Sequence, residues 1–454
     1  MAIDTEPVIP GFHPDPSVCR AGEDYYLVCS SFEYFPGVPI FHSRDLVSWE
    51  QIGNVFTRTT QFDPAGVAPS TGIYAPTLRH HDGRFWLTTT IVNRIEDGQL
   101  IVHADDPAGP WSDPVFVPGT IGIDPDLAWD AGGNCYLTYK GFHDPGGIMQ
   151  VRIDPFTGTK LGDIRGVWPG TGMAHPEAPH LYEIDGVWYL MIAEGGTERG
   201  HTVTIARGPA PSGPFEPCPD NPILTHRSTT HPVQNTGHGD LVRAADGSWW
   251  MVYLGVRPRG FTPGFHVIGR ETFLAPVTWR DGWHVVGVAD RPVPHRDRSF
   301  AEDFTRAVTH PRWITPAASA GSGFSCVRVT DLLWAAEASV SPGPEPSRLV
   351  LRLDDRHWYA LVADGSSIAA VARIGDLEQT VGTVPASPGT VTLRIEAAEA
   401  PHEYAGPDEI VLSADGAELT RLDGRYLSTE VTGGFTGRVL CVERVLLFSY
   451  TSKA

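Results

Sequence analysis

The chain has 454 residues, more than one ordinary hydrophobic core serves, so two domains are expected. Hydrophobic residues make up 41%, with 13 Trp, 13 Tyr and 19 Phe, which excludes a disordered chain. The formal net charge of −20 argues against nucleic acid, phosphate-rich substrates and anionic membranes as partners, and leaves neutral ligands.

The 49 Gly and 40 Pro are spread along the chain and read as the turn punctuation of an all-β protein. Cys19, Cys29, Cys135, Cys218, Cys326 and Cys441 show no CxxC and no metal-ligand spacing. Cys19 and Cys29 fall in neighbouring strands and could lie close, but free buried thiols are the expectation. The opening Met1–Pro7 lacks the basic and apolar regions of a signal peptide. No run approaches the roughly 18 apolar residues of a membrane span. A cytoplasmic protein is the expectation.

In chain order, the first predicted elements are five copies of one phrase. Each has a loop residue, an apolar residue three places on, a polar or Gly turn, and aromatics entering a second strand. They begin at Asp15, Ala75, Asp124, Ala178 and His238, counted back from Val18, Leu78, Leu127, Leu181 and Leu241. Their turns precede Tyr25–Tyr26, Phe85–Trp86, Cys135–Tyr136, Trp188–Tyr189 and Trp249–Trp250. A second element, at Phe41–Trp49, Val102–Trp111 and Ile205–Phe215, ends a strand, turns on Gly, Pro or Asp, and restarts on an aromatic. That is a hairpin pattern. Four short strands per unit, repeated five times, predict a five-bladed β-propeller over residues 1–288. Residues 289–299, rich in Pro and charge, predict a linker. Period-2 stretches at Ser347–Leu353 and Thr390–Ile395 predict a smaller antiparallel β-sandwich over 300–454.

The inner strands of a propeller line one central funnel, so the residues opening the phrase converge there. Asp15 and Asp124, each followed by Pro, are also explained as turn formers. Glu177 lies one place before Ala178, between Pro176 and Pro179, and turn chemistry does not explain it. At matched positions the three carboxylates together suit acid–base hydrolysis of a glycosidic bond, one side giving a proton and the other activating water. Glu177 is one residue out of register, which predicts a bulge or turn that redirects it inward.

At these residues the chain resembles glycoside hydrolase family 43. The motifs are Pro7–Ser17, Ser31–Ile40, Gly122–Pro125, Glu177–Tyr182, Gly237–Leu241 and Gly269–Leu274, in the family's order. Gly433–Gly437 resembles the sandwich appended to the β-xylosidase branch. The chain departs from the family at Ala178, where Gly is frequent, and at Tyr74, where Trp is common.

The resemblance implies an inverting hydrolase with Asp15 as general base and Glu177 as general acid. Asp124 would hold Glu177 and raise its proton affinity. An inverting pair has its carboxyl groups about 6.5 to 9.5 Å apart. Arg270 would meet sugar hydroxyls, or else pair with Glu271. Phe32 and Tyr74 would wall the terminal sugar, and Phe435 would reach over from the sandwich or else pack in its core. His238 would point to the propeller axis, where a calcium ion can sit with a water shell, or else be a core histidine. No other cofactor is implied.

The substrate implied is a neutral pentose oligosaccharide of the kind released in xylan degradation. Terminal β-D-xylose is the first choice and α-L-arabinofuranose the alternative, from a β-xylosidase, an arabinofuranosidase or a bifunctional enzyme. A non-catalytic sugar-binding propeller and an internally cutting arabinanase are the competing readings. A homo-oligomer is left open.

Overall fold

The computed structural model describes residues 6–143, 146–287, 293–306, 310–319, 323–402 and 404–453. Met1–Thr5 and residues 289–292 of the expected linker lie outside the described residues.

Five antiparallel sheets follow one another along the first part of the chain. They open on the strands Ser17–Ala21, Thr77–His81, Gly122–Trp129, Glu177–Ile184 and Gln234–Arg243. Each has four strands joined in sequence order, and the third gains an extra strand, Arg165–Trp168. The repeated phrase is therefore the first hairpin of each sheet. At Asp82-Gly83 and Asp185-Gly186 both turn residues have positive φ, the two-residue turn that matches strand twist.

The opening strands of consecutive sheets pack against each other, and the fifth returns to the first. Apolar clusters fill the spaces between sheets. One joins Leu78, Leu87 and Leu100 of the second sheet to Val28, Ile40 and Phe56 of the first. Another joins Val242, Trp250 and Leu274 of the fifth to Val18, Leu27 and Phe41 of the first. The ring is thus closed by side-chain burial. The N-terminal segment fastens it, because Val8 and Ile9 donate their N–H groups to Thr272 O in the fifth sheet at 2.9 and 3.2 Å.

After this ring, two six-stranded antiparallel sheets run from Phe300 to Ser452. Alternate residues of Ser347–Asp354 and Val391–Ala398, such as Leu349, Leu351, Leu393 and Ile395, enter one shared core. The two parts of the chain are tied directly. Thr315–Pro316 pairs with Tyr34–Phe35, and Ala317 N–H donates to Glu33 O at 3.0 Å.

One expectation needs correction. Cys326 and Cys441 form a disulfide between paired strands, whereas Cys19, Cys29, Cys135 and Cys218 are free and buried as expected. Their separation of 115 residues hides the pairing from a spacing argument. Disulfides are rare in a reducing cytosol, so the cytoplasmic expectation loses its support from cysteine usage. Among the described residues, no helix is long and apolar enough to cross a membrane.

Candidate active site

The phrase-opening residues sit where their strands are deformed. Asp124-Pro125 opposes the single residue Tyr139, Ala178-Pro179 opposes Ile192, and His238-Gly239 opposes Tyr253. These are β-bulges at one place in three sheets. Asp15, Asp124, Ala178 and His238 all have φ between 46 and 57°, and such backbone costs about 1–3 kcal/mol per non-Gly residue. The bulge at Ala178 is what the slipped register of Glu177 predicted.

All eight residues singled out in the sequence line one cavity of about 400 Å³. Asp15, Asp124 and Glu177 share it with Phe32, Tyr74, His238, Arg270 and Phe435. Asp15 accepts from Arg270 Nη1 at 2.9 Å through Oδ1 and from Ser30 Oγ at 2.5 Å through Oδ2. Arg270 also donates to Thr197 Oγ1 at 3.0 Å. The pairing of Arg270 with Glu271 is not what forms, because Arg257 holds Glu271 at 2.7 and 3.0 Å. Asp124 Oδ2 accepts from Ala178 N–H at 3.2 Å, which links the third sheet to the backbone beside Glu177.

Burial would raise the Asp15 carboxyl, but the Arg270 guanidinium beside it brings it net below its usual range. Burial pushes Glu177 up to about 7, with the Asp15 charge adding and Lys140 and Arg270 opposing. Asp124 is raised well above its ordinary value, first by burial and then by the Glu177 and Asp15 charges. Arg270 bonds Asp15 directly and favours its ionised form, whereas burial pushes Asp124 and Glu177 towards the protonated form against the opposing charges of Arg270 and Lys140.

The aromatic residues form one wall. Phe32 and Phe435 stack with centroids 6.1 Å apart and planes 20° from parallel. Tyr74 meets both edge-on, at 5.7 and 5.9 Å. The Arg270 guanidinium lies 5.8 Å from the Phe32 centroid and 5.5 Å from that of Phe435. Phe435 therefore reaches the cavity. Its loop approaches the segment just before Arg270 so closely that a Cβ on Gly437 would meet Ile268 O.

His238 Nδ1 lies 3.4 Å from Asp15 Oδ1, and burial keeps its imidazole neutral, down to about 3. Calcium takes about 6–8 oxygen ligands. Among the described residues no group of three or more His, Cys, Asp or Glu is placed to hold a metal. With fewer than three such side chains placed to hold a metal at His238 among the described residues, water would have to complete the shell of any ion there.

Sequence reasoning missed Ser30, Thr197 and His201. Thr197 and His201 also line the cavity, in the loop after the strand Val187–Glu194, and Gly195-Gly196 was the available signal. It also missed a second polar layer. Two places beyond the phrase-opening residues stand Ser17, Thr77, Asp126, His180 and Asp240, all buried. Arg79 Nη2 lies 2.7 Å from Asp126 and Nη1 2.8 Å from Asp240. Asp240 accepts in addition from Ser17 Oγ at 2.7 Å, Val18 N–H at 3.0 Å and Tyr182 Oη at 2.5 Å.

The profile of glycosyl hydrolases family 43 matches residues 5–284. A non-reducing end alpha-L-arabinofuranosidase of Bacteroides ovatus is 38% identical over 95% of this chain and 89% of its own length. A xylosidase/arabinosidase of Butyrivibrio fibrisolvens is 46% identical, over 63% of this chain and 57% of its own. A xylan beta-1,4-xylosidase from Bacillus halodurans superposes with a TM-score of 0.88 at 27% identity, covering 99% of this chain and all of the other.

Proposed function

The chain belongs to glycosyl hydrolases family 43 and is a glycosidase, and from that premise we propose that it removes single pentoses from the non-reducing ends of short oligosaccharides. Terminal β-D-xylose is the first substrate, released with inversion. The observation that carries this reading is the meeting of Asp15 and Glu177 in one cavity with Arg270 bonded to Asp15 at 2.9 Å, an arrangement in which Asp15 is held low while burial pushes Glu177 up to about 7. Asp15 draws a proton from water on one face of the sugar ring. Glu177 gives its proton to the departing glycosidic oxygen on the other. Asp124, joined to Ala178 N–H, fixes the backbone beside Glu177, and its own high proton affinity keeps a second negative charge from building up.

The five sheets are read as blades of a β-propeller extending to residue 288. The two six-stranded sheets are read as a β-sandwich from residue 300, with 289–299 as linker. Cyclic packing of the opening strands supports the first reading, and the shared core supports the second. A wall that includes Phe435 closes one side of the cavity, which suits chain ends and disfavours the open groove of an internally cutting enzyme. A water-shelled calcium ion at His238 remains part of the proposal, and an increase in thermal stability on adding calcium after chelation would support it.

A second reading, α-L-arabinofuranosidase, is favoured by the Bacteroides ovatus relative, whose match runs over nearly the whole chain. Hydrolysis of paired aryl β-D-xyloside and aryl α-L-arabinofuranoside substrates decides between them. Turnover of neither would overturn the substrate class.

A further inference from the structure

Phe32, Tyr74 and Phe435 come from three distant stretches of chain, and a single residue is hydrogen-bonded to the supports of all three. Ser70 N–H donates to Glu33 Oε2 at 2.9 Å, next to Phe32. Ser70 O accepts from Tyr74 Oη at 3.1 Å. Ser70 Oγ accepts from Phe435 N–H at 2.9 Å. Ser70 holds φ at 59°, a conformation that persists in a non-Gly residue only where its surroundings enforce it. Glu33 is 2% exposed, so its hold on Ser70 is shielded from water. Gly434 completes the fit, since a Cβ there would stand 2.5 Å from Ser70 Oγ.

We propose that Ser70 is a positioning residue that clamps the aromatic wall, setting how tightly the terminal sugar is held without touching it or the reacting atoms. This rests on the glycosidase reading and deepens it. The Ser70 side chain has one partner in the wall, Phe435 N–H, while its backbone serves Glu33 and Tyr74. Ser70→Ala therefore removes one hydrogen bond and leaves the carboxylates untouched.

The expected result on an aryl pentoside is a KM raised by about 3–10-fold, the worth of one hydrogen bond, with kcat within about twofold. On a Phe435→Ala background the same substitution is expected to change KM by less than about twofold, because residues acting as a unit are not additive. An unchanged KM, a fall in kcat instead, or an equal effect in both backgrounds would overturn the proposal. Amide hydrogen exchange at Phe435 gives a readout independent of turnover. It is expected to quicken by about 3–10-fold in Ser70→Ala, and unchanged exchange would overturn the clamp even in an active enzyme. Failure of the unmodified protein to hydrolyse either pentoside would instead count against the pentose reading of the site, with the exchange result still judging the clamp.

Discussion

Two polar layers follow one another along the opening strands of the ring and the residues just before them, and they behave oppositely. In the outer layer, Asp15, Asp124 and Glu177 share one arginine, Arg270, and two carboxyls are pushed towards protonation. In the inner layer, Arg79 bridges the two carboxylates Asp126 and Asp240 and also meets His180 Nδ1 at 2.8 Å, with hydroxyl and backbone donors filling the remaining lone pairs. The Asp240 carboxyl is held far below its ordinary value, although burial alone would raise it, because Arg79 is beside it. Asp15, Asp124, Asp126 and Asp240 are all buried and Glu177 is half-buried, so burial alone does not distinguish the layers. The ratio of cations and donors to carboxylates makes one layer reactive and the other structural.

The sharpest way to break this comparison is to remove one charge from each layer. Glu177→Gln and Asp15→Asn are expected to lower kcat by about 10²- to 10⁴-fold, the usual worth of a general acid or base, with the melting transition of the fold retained. Arg79→Met leaves Asp126 and Asp240 buried without their cation and is expected to cost about 3–5 kcal/mol of stability in denaturant unfolding. Loss of stability in the outer layer, or of kcat alone in the inner one, would erase the distinction.

A smaller effect appears in pH dependence. With Glu177 as the acid at about 7, kcat/KM is expected to fall as pH rises through about 7. Activity should persist below the ordinary aspartate range, because Asp15 stays ionised there. The stability signs also differ between the layers. Glu177, raised above its ordinary 4.5, favours the fold at low pH and loses that contribution as pH climbs through about 7. Asp240, depressed below its ordinary 3.8, stabilises above that value and loses its contribution as pH falls further. A titration of unfolding free energy against pH should show the second trend weakened in Asp240→Asn.

The difference between the layers also marks what the amino-acid order revealed. Asp15 and Asp124 were legible because each opens a repeated phrase, and Glu177 because it stands one place before the opening residue Ala178 where turn chemistry does not explain it; closure of the ring turns equal phase into convergence. His238 opens the fifth phrase, while Arg270, Phe32, Tyr74 and Phe435 entered through motif resemblance; all five also line the cavity. The inner layer was equally periodic, with polar residues at Ser17, Thr77, Asp126, His180 and Asp240, yet its meaning depends on Arg79 joining Asp126 to Asp240 across sheets. Ser70 lies in a loop outside the phrase, and its contact with Phe435 spans 365 residues, beyond any local pattern. The Cys326–Cys441 bond was hidden for the same reason, since sequence spacing does not fix disulfide pairing.

The central claim is that Asp15 and Glu177 act from opposite faces of the sugar on a single displacement by water. Proton NMR of an aryl β-D-xyloside during its first turnovers, before mutarotation, tests this directly. The account predicts α-D-xylose as the first anomer formed. First appearance of β-D-xylose would mean net retention, and would contradict the assignment of Asp15 as a base acting on water.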